Sequence, residues 1–364
     1  MLMPTADEIR ACLEPIMDAD LEVSLGALQA IHRVEVEGSV IKVFLEMVPP
    51  LQLVARDIDA ACKTAINALY PDADVEVMVR ERESPLTKRT AGIQQVKTLV
   101  AIASGKGGVG KSTVSANLAA ALAQRGMRVG LLDADIYGPS QPTMYGMAGE
   151  SMRAEKTEAG AMRGYPNERY GVKVASIGFV MQRDQAAILR GPMLAGYFST
   201  LVDQIQWGEL DILLFDLPPG TGDIQLTLTQ RIPLTGAIVV TTPQEIALAD
   251  VRRSIQMFRK VNVPVLGVIE NMSYFIPPDM PDKQYYIFGK GGGQRVAAEY
   301  SVPLIGEIPI DVRIREGADE GFPFVLDPES GSAGDAFRAL AARVVREVRQ
   351  ENHRVSGTAL AIEL

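Results

Sequence analysis

The residues whose types and spacing could carry chemistry run Ser104-Gly-Lys-Gly-Gly-Val-Gly-Lys-Ser-Thr113, directly after the β-branched run Leu99 to Ala103 and before a helical stretch from Val114 to Gln124. Glycines at 105, 107, 108 and 110 let consecutive main-chain N–H groups turn inward. A helix starting at such a turn aims the positive end of its dipole at the same point, so a polyphosphate fits there. The same letters satisfy a dinucleotide-binding pattern through Gly105, Gly107 and Gly110, with Asp133 about where a ribose-binding acid would stand. That pattern has no use for Lys111 followed by Ser112, whereas a nucleoside triphosphate needs an ammonium on its β- and γ-phosphates and a hydroxyl on Mg²⁺. The expected cofactors are therefore ATP and Mg²⁺, held by Gly105, Lys106, Gly107, Gly108, Val109, Gly110, Lys111, Ser112 and Thr113, with Ser112 on the metal.

Two acidic turns follow predicted strands. Asp133-Ala-Asp135-Ile-Tyr-Gly-Pro-Ser140 leaves the strand Arg128 to Leu132, and Asp216-Leu-Pro-Pro-Gly-Thr-Gly-Asp223 leaves the strand Asp211 to Phe215. Ligands in open α/β sheets lie beyond the carboxyl ends of strands, which would bring both turns to the phosphate loop. Phosphoryl transfer depends on charge neutralisation and a placed water, so these acids are expected on Mg²⁺, directly or through water. Asp223 has an alternative structural use as the N-cap of the following helix.

The elements that must position these residues are β-branched runs alternating with helices. Leu99 to Ala103, Arg128 to Leu132, Ile212 to Phe215, Ala237 to Thr241 and Val265 to Ile269 predict a mostly parallel sheet covered by helices on both faces, an α/β fold. Gly334 to Arg349 places Phe337, Leu340, Val344, Val345 and Val348 on one face of a closing helix. Ahead of this domain, strands near Ile31 to Val36 and Val40 to Leu45, a helix from Leu53 to Leu69 and a strand Val75 to Val79 predict a small α+β domain. The expected boundaries are 1–80 for the small domain, 81–97 for a charge-rich linker, 98–350 for the nucleotide-binding domain and 351–364 for a tail.

Of 364 residues, 47% are hydrophobic and 22% charged, enough apolar surface for two domain cores. The net charge of −9 argues against a sequence-independent grip on nucleic acid. Cys12 and Cys62 are the two cysteines, with no metal-site or disulfide spacing, which suits a reducing compartment. Met1 to Asp20 has charges scattered through its apolar residues, and no apolar run reaches the ~18–20 residues that span a bilayer. The expectation is a cytoplasmic protein without membrane attachment.

The pattern K-G-G-x-G-K-[ST] from Lys106 resembles the deviant Walker A motif of the MinD, ParA, NifH and Mrp/ApbC class of P-loop NTPases. The segments DADIYGPS from Asp133, RGPM from Arg190, WGELDILLFDLPPGTGD from Trp207, TTPQEIALAD from Thr241 and ENMSYF from Glu270 resemble the Mrp/ApbC family of iron-sulfur cluster carrier ATPases over about residues 95 to 345. The stretch MDADLEVSLGALQAIHRVEV and VEVMV after Pro71 resemble the small iron-sulfur assembly domain commonly fused ahead of it.

The resemblance implies an ATP-hydrolysing homodimer that exchanges iron-sulfur clusters with assembly proteins and apoprotein recipients. It implies that Lys106 reaches the partner copy's phosphates, with Lys106, Lys111, Asp135 and Asp216 catalytic. Asp133 and Asp135 would form switch I, with Asp135 near the attacking water. Asp216 would be the Walker B aspartate, reaching Mg²⁺ through water, and Gly220-Thr-Gly222 the moving switch II. Asn271 would contact adenine and Pro309 line the base pocket, although turn chemistry explains either residue as well.

One departure stands out. Where many relatives carry Cys-x-x-Cys after ENMSYF, this chain reads Ile276-Pro-Pro-Asp-Met-Pro-Asp282, with Pro277 and Met280 about at the cysteine positions. Proline cannot ligate iron and a thioether is a poor substitute for thiolate, so the cluster ligands are unassigned. Two alternatives remain open on sequence alone: a ParA- or MinD-like positioning switch, and an ATP-binding regulator or scaffold without a cluster.

Overall fold

The computed structural model describes residues 4–82, 91–136, 138–157, 162–180 and 201–362. The chain divides into two compact units, Met1–Pro85 with Val345–Leu364, and Leu86–Val344.

In the first unit the elements are α1 (Ala6–Leu13), β1 (Met17–Asp18), β2 (Val23–Ser24), β3 (Ile31–Glu37), β4 (Val40–Met47), α2 (Ala55–Leu69) and β5 (Asp74–Glu81). Thr5 and Glu8 form a capping box that starts α1. β4 pairs antiparallel with β3 and parallel with β5, because α2 supplies the crossover that a parallel pair requires. Along β4, Ile41, Val43, Leu45 and Met47 alternate into a core with Ile9, Leu13, Ile58, Cys62 and Ile66. Cys62 is fully buried, and that burial pushes its thiol up to about 12. Cys12 is half-buried, its thiol also raised by burial, and its Sγ donates to Ile9 O.

The second unit contains β6 (Val96–Ser104), α3 (Lys111–Gln124), β7 (Val129–Asp133), α4 (Gln141–Met144), β8 (Arg153–Lys156), β9 (Met162–Tyr165), β10 (Asn167–Arg169), β11 (Val172–Ser176), β12 (Leu210–Asp216), α5 (Asp223–Arg231), β13 (Gly236–Thr241), α6 (Glu245–Lys260), β14 (Val265–Glu270), α7 (Gly292–Tyr300), β15 (Leu304–Glu307) and α8 (Val312–Glu320). Among the described residues one sheet has eight strands in the order β10-β11-β7-β12-β6-β13-β14-β15, parallel except for the β10–β11 pair. Leu99, Ala101 and Ala103 share a core with Leu248, Val251 and Ile255 of α6. The alternate residues Val100 and Ile102 are buried on the opposite face, against which α3 packs. Burial on both faces explains why β12 reads as a nearly continuous apolar run.

The closing helix α9 spans Gly331–Ile362. This corrects the boundary expected at 350 and the tail expected from 351, since helix continues through 351–362 and the division between units falls inside α9. The run Val345-Arg-Glu-Val-Arg-Gln-Glu-Asn-His-Arg354 contains no breaker, so helix propensity carries it on. Arg349 is fully buried within the first unit. Its guanidinium donates to Asp18 Oδ2 at 2.5 Å and Oδ1 at 3.0 Å, to Asp20 Oδ2 at 2.7 Å and to Val48 O at 3.2 Å. No spacing in the sequence announces this clamp, which joins residues more than three hundred positions apart.

Candidate active site

The loop between β6 and α3 is built by two left-handed glycines, Gly108 at φ +81° and Gly110 at φ +80°. Gly110 has a second reason to be glycine, since an added Cβ would lie 2.2 Å from Asn271 Nδ2. Gly105 is fixed by crowding instead, its Cβ position falling 2.3 Å from Asp250 Cβ on α6. Gly107 and Gly108 are exposed, with open space where a Cβ would be. The main-chain amides of Gly107, Gly108, Val109 and Gly110 donate to no protein acceptor among the described residues. Together with the first amides of α3 they form a cradle of unspent donors, the arrangement that receives phosphate oxygens.

The two acids arrive beside this loop through strand order. β12 inserts between β6 and β7, placing Asp216 in register with Ile102 on one side and with Asp133 on the other. Asp216 is fully buried. Its Oδ1 accepts from Lys111 Nζ at 2.5 Å and from Ser115 Oγ at 2.9 Å, and its Oδ2 accepts from Gln141 Nε2 at 2.9 Å. Lys111 Nζ also lies 3.2 Å from Ser112 Oγ.

Asp133, equally buried, accepts on Oδ2 from Ser140 N at 3.0 Å, Gln141 N at 3.1 Å and Ser176 Oγ at 3.1 Å, and on Oδ1 from Asp135 N at 3.2 Å. Burial and then the adjacent Asp216 charge push its carboxyl well above the usual carboxylate range, against the opposing pull of the Gln141 amide, Lys111 and Ser176. Asp135 is half-buried at the turn, its Oδ1 accepting from Gly138 N at 3.2 Å.

The remaining expected residues surround the same loop. Lys106 is half-buried, and its carbonyl accepts from Ser104 Oγ at 3.0 Å. Among the described residues no carboxylate pairs with its ammonium. Thr113 O accepts from Asn117 Nδ2, and Gly220 N donates to Ser104 O at 2.9 Å, tying the turn after β12 to the start of the phosphate loop. Asn271, at the end of β14, donates from Nδ2 to Val109 O at 2.8 Å. Pro309 is buried in a turn tied to the same strand end, with Ile308 N donating to Glu270 O and Ser273 N to Ile308 O. The structure thus brings Asn271 onto the phosphate loop and ties Ile308, the neighbour of Pro309, to the end of β14.

The N-cap of α5 is Gly222, one residue before the expected Asp223. Arg190 to Met193 lie outside the described residues. Ser115, Gln141 and Ser176 were not singled out from sequence. Ser115 was within reach, standing four residues after Lys111 on one face of α3. Gln141 had no signal beyond its place after the acidic turn.

Among the described residues no helix is long and apolar enough to cross a membrane. Residues 95–345 match the family described as NUBPL iron-transfer P-loop NTPase, and residues 6–79 match the iron-sulfur cluster assembly protein family. The chain is 46% identical over 350 residues to an iron-sulfur cluster carrier protein of Synechocystis, covering 95% of this chain and 98% of the relative. It is 39% identical over 339 residues to the iron-sulfur cluster carrier protein of Escherichia coli, covering 93% and 90%. A nucleotide-binding protein of Archaeoglobus fulgidus, solved with ADP, superposes with a TM-score of 0.57 at 37% identity over 66% of this chain and 93% of that one. The cell-division ATPase MinD of Pyrococcus furiosus, at 23% identity and a TM-score of 0.50 over 68% of this chain and 98% of that one, shares the fold. With family matches over both units and similarity along nearly its whole length, the chain belongs to the iron-sulfur cluster carrier family of P-loop NTPases.

Proposed function

We propose that this protein binds and hydrolyses Mg-ATP and couples hydrolysis to the loading or transfer of an iron-sulfur cluster, which is its cargo. The observation that carries the reading is the convergence of unspent loop amides, Lys111, Ser112, Asp133 and Asp216 at the carboxyl end of one sheet, in a chain whose relatives are named cluster carriers. These oxygen donors fit Mg²⁺, a hard cation bound by few carboxylates together with phosphate oxygens and water. When bound, Mg²⁺ would neutralise charge developing on the phosphates.

The chain's own residues do the rest. Loop amides and Lys111 orient the triphosphate, Ser112, Asp133 and Asp216 hold the cation, Asp135 positions the attacking water, and Asn271 with Pro309 borders the adenine. Lys106, a half-buried ammonium with no partner carboxylate in its own chain among the described residues, supports action across a homodimer on the second copy's phosphates.

A second reading, an ATP-binding regulator without its own cluster, is the alternative raised by the sequence of the loop after Phe275. Pro277 and Met280 stand about where the family resemblance implies cysteines, and Cys62 is buried. Anaerobic reconstitution with iron and sulfide, with and without Mg-ATP, separates the two. A bound cluster that passes to an apo-ferredoxin, with transfer changed by ATP, is expected for the carrier. Hydrolysis of ATP with no iron retained or transferred would replace it with the regulator.

A further inference from the structure

Gln141 opens the short helix α4 and is fully buried, yet it is a polar side chain among the groups that would meet magnesium and phosphate. Its Nε2 donates to Asp216 Oδ2 at 2.9 Å and to Ser112 O at 3.0 Å. Its main-chain N–H donates to Asp133 Oδ2 at 3.1 Å. One residue therefore ties together the carboxylates of β7 and β12 and the backbone of the hydroxyl residue on the phosphate loop. The orientation of the amide is fixed by chemistry: both neighbours of Nε2 are acceptors, and an oxygen placed there would face a carboxylate and a carbonyl.

The other end of the amide is the informative one. Gln141 Oε1 is buried and has no donor. A buried acceptor left unpaired is costly and calls for an explanation. A packing role alone does not supply one, because an apolar side chain of the same volume would fill the space without an orphaned oxygen.

We propose that Gln141 is a positioning residue for the magnesium of the nucleotide complex, an inference that rests on the Mg-ATP reading above. Gln141 holds Asp216 Oδ2 in place while Oδ1 exchanges Lys111 for its bound-state partners, and offers Oε1 as the acceptor for a donor that arrives with the hydrated cation. It acts through Asp216, Asp133 and Ser112 and takes no part in bond breaking.

The quantity that isolates this role is the gain in ATP affinity conferred by Mg²⁺, measured by calorimetry as the ratio of dissociation constants in EDTA and in saturating Mg²⁺. Gln141→Met keeps the length and volume of the side chain and removes both polar ends, and Gln141→Asn keeps the amide on a stem too short to span the site. Each variant is expected to reduce the Mg²⁺-conferred gain at least ten-fold, equivalent to about 1.4 kcal/mol, and to lose affinity for Mn²⁺ in the ATP complex, read by electron paramagnetic resonance. A Gln141→Met protein whose gain equals that of the wild type overturns the proposal. Thermal melting identifies a variant that has not folded, in which case the Asn variant decides by the same ratio. Wild-type protein that binds no ATP under either condition sinks the Mg-ATP reading itself, a result distinct from an unchanged ratio in a variant that binds.

Discussion

Asp216→Asn should make the protein bind magnesium-free ATP more tightly, although it removes a residue of the site. In the structure Lys111 Nζ lies 2.5 Å from Asp216 Oδ1, with 6% and 0% of the two side chains exposed. At that separation and an effective dielectric of about 20, the gross attraction is ~7 kcal/mol. Much of this is offset by desolvation, but removing one partner of a buried pair leaves the other uncompensated, at roughly 3–5 kcal/mol. The triphosphate must therefore compete with Asp216 for the ammonium in the wild type. In the variant it supplies the missing counter-charge, and one carboxylate no longer repels it.

Part of the compensation returns through Asp133, whose carboxyl is held up by burial and then by the Asp216 charge, and which ionises more readily once that charge is gone. Allowing for this, a coupling of roughly 1.5–3 kcal/mol remains, or about 10- to 150-fold in affinity. Calorimetric titration of ATP in EDTA reads the effect directly, and repetition in excess Mg²⁺ should show a smaller metal-conferred gain than in the wild type. Should the variant bind magnesium-free ATP no more tightly than the wild type, the buried pair is not what nucleotide displaces and the reasoning fails.

Two further predictions concern stability. Arg349→Met leaves Asp18 buried with the main-chain amides of Asp20 and Leu21 as its remaining donors. It should cost roughly 3–5 kcal/mol, seen as faster hydrogen exchange in β3, β4 and β5 and partly recovered by adding Asp18→Asn. Exchange unchanged in those strands would show that the clamp is dispensable. Asp211 would be raised by burial, but bonds from Arg128 and Lys97 hold it down to about 2 against an ordinary 3.8. A carboxyl depressed on folding stabilises above its unfolded value and loses that contribution as pH falls from about 4 through about 2. Asp211→Asn should therefore lose about 2 kcal/mol at pH 7 and show a flatter decline between pH 4 and 2 in denaturant titrations. Equal stability of variant and wild type at pH 7 would contradict this.

The phosphate loop was legible because its chemistry is local. Gly108 and Gly110 adopt a left-handed backbone that glycine takes freely, and Lys111 stands on the first turn of α3. The parallel sheet was legible for a similar reason, since strands buried on both faces read as near-continuous apolar runs, as β12 does between Asp211 and Asp216. The hairpin of β8 and β9 was not, because Arg153–Lys156 is exposed throughout and carries no apolar alternation. The far end of α9 was not legible, since past Arg354 the helix runs through Ser356-Gly-Thr358, which carry no helical signal of their own.

The sequence by itself determined which residues could meet a triphosphate: a run of glycines with two lysines and a hydroxyl, and two acids each placed where a strand ends. Spacing and periodicity act over a few residues, and a single stretch of chain contains all they need. Tertiary structure alone decided that β12 lies between β6 and β7, bringing Asp216 level with Asp133, that Lys111 rests on Asp216, and that Gln141 braces both acids. Those contacts join positions up to 105 residues apart. They follow from which strands pack side by side and in what register, a property of the assembled core that no local pattern contains.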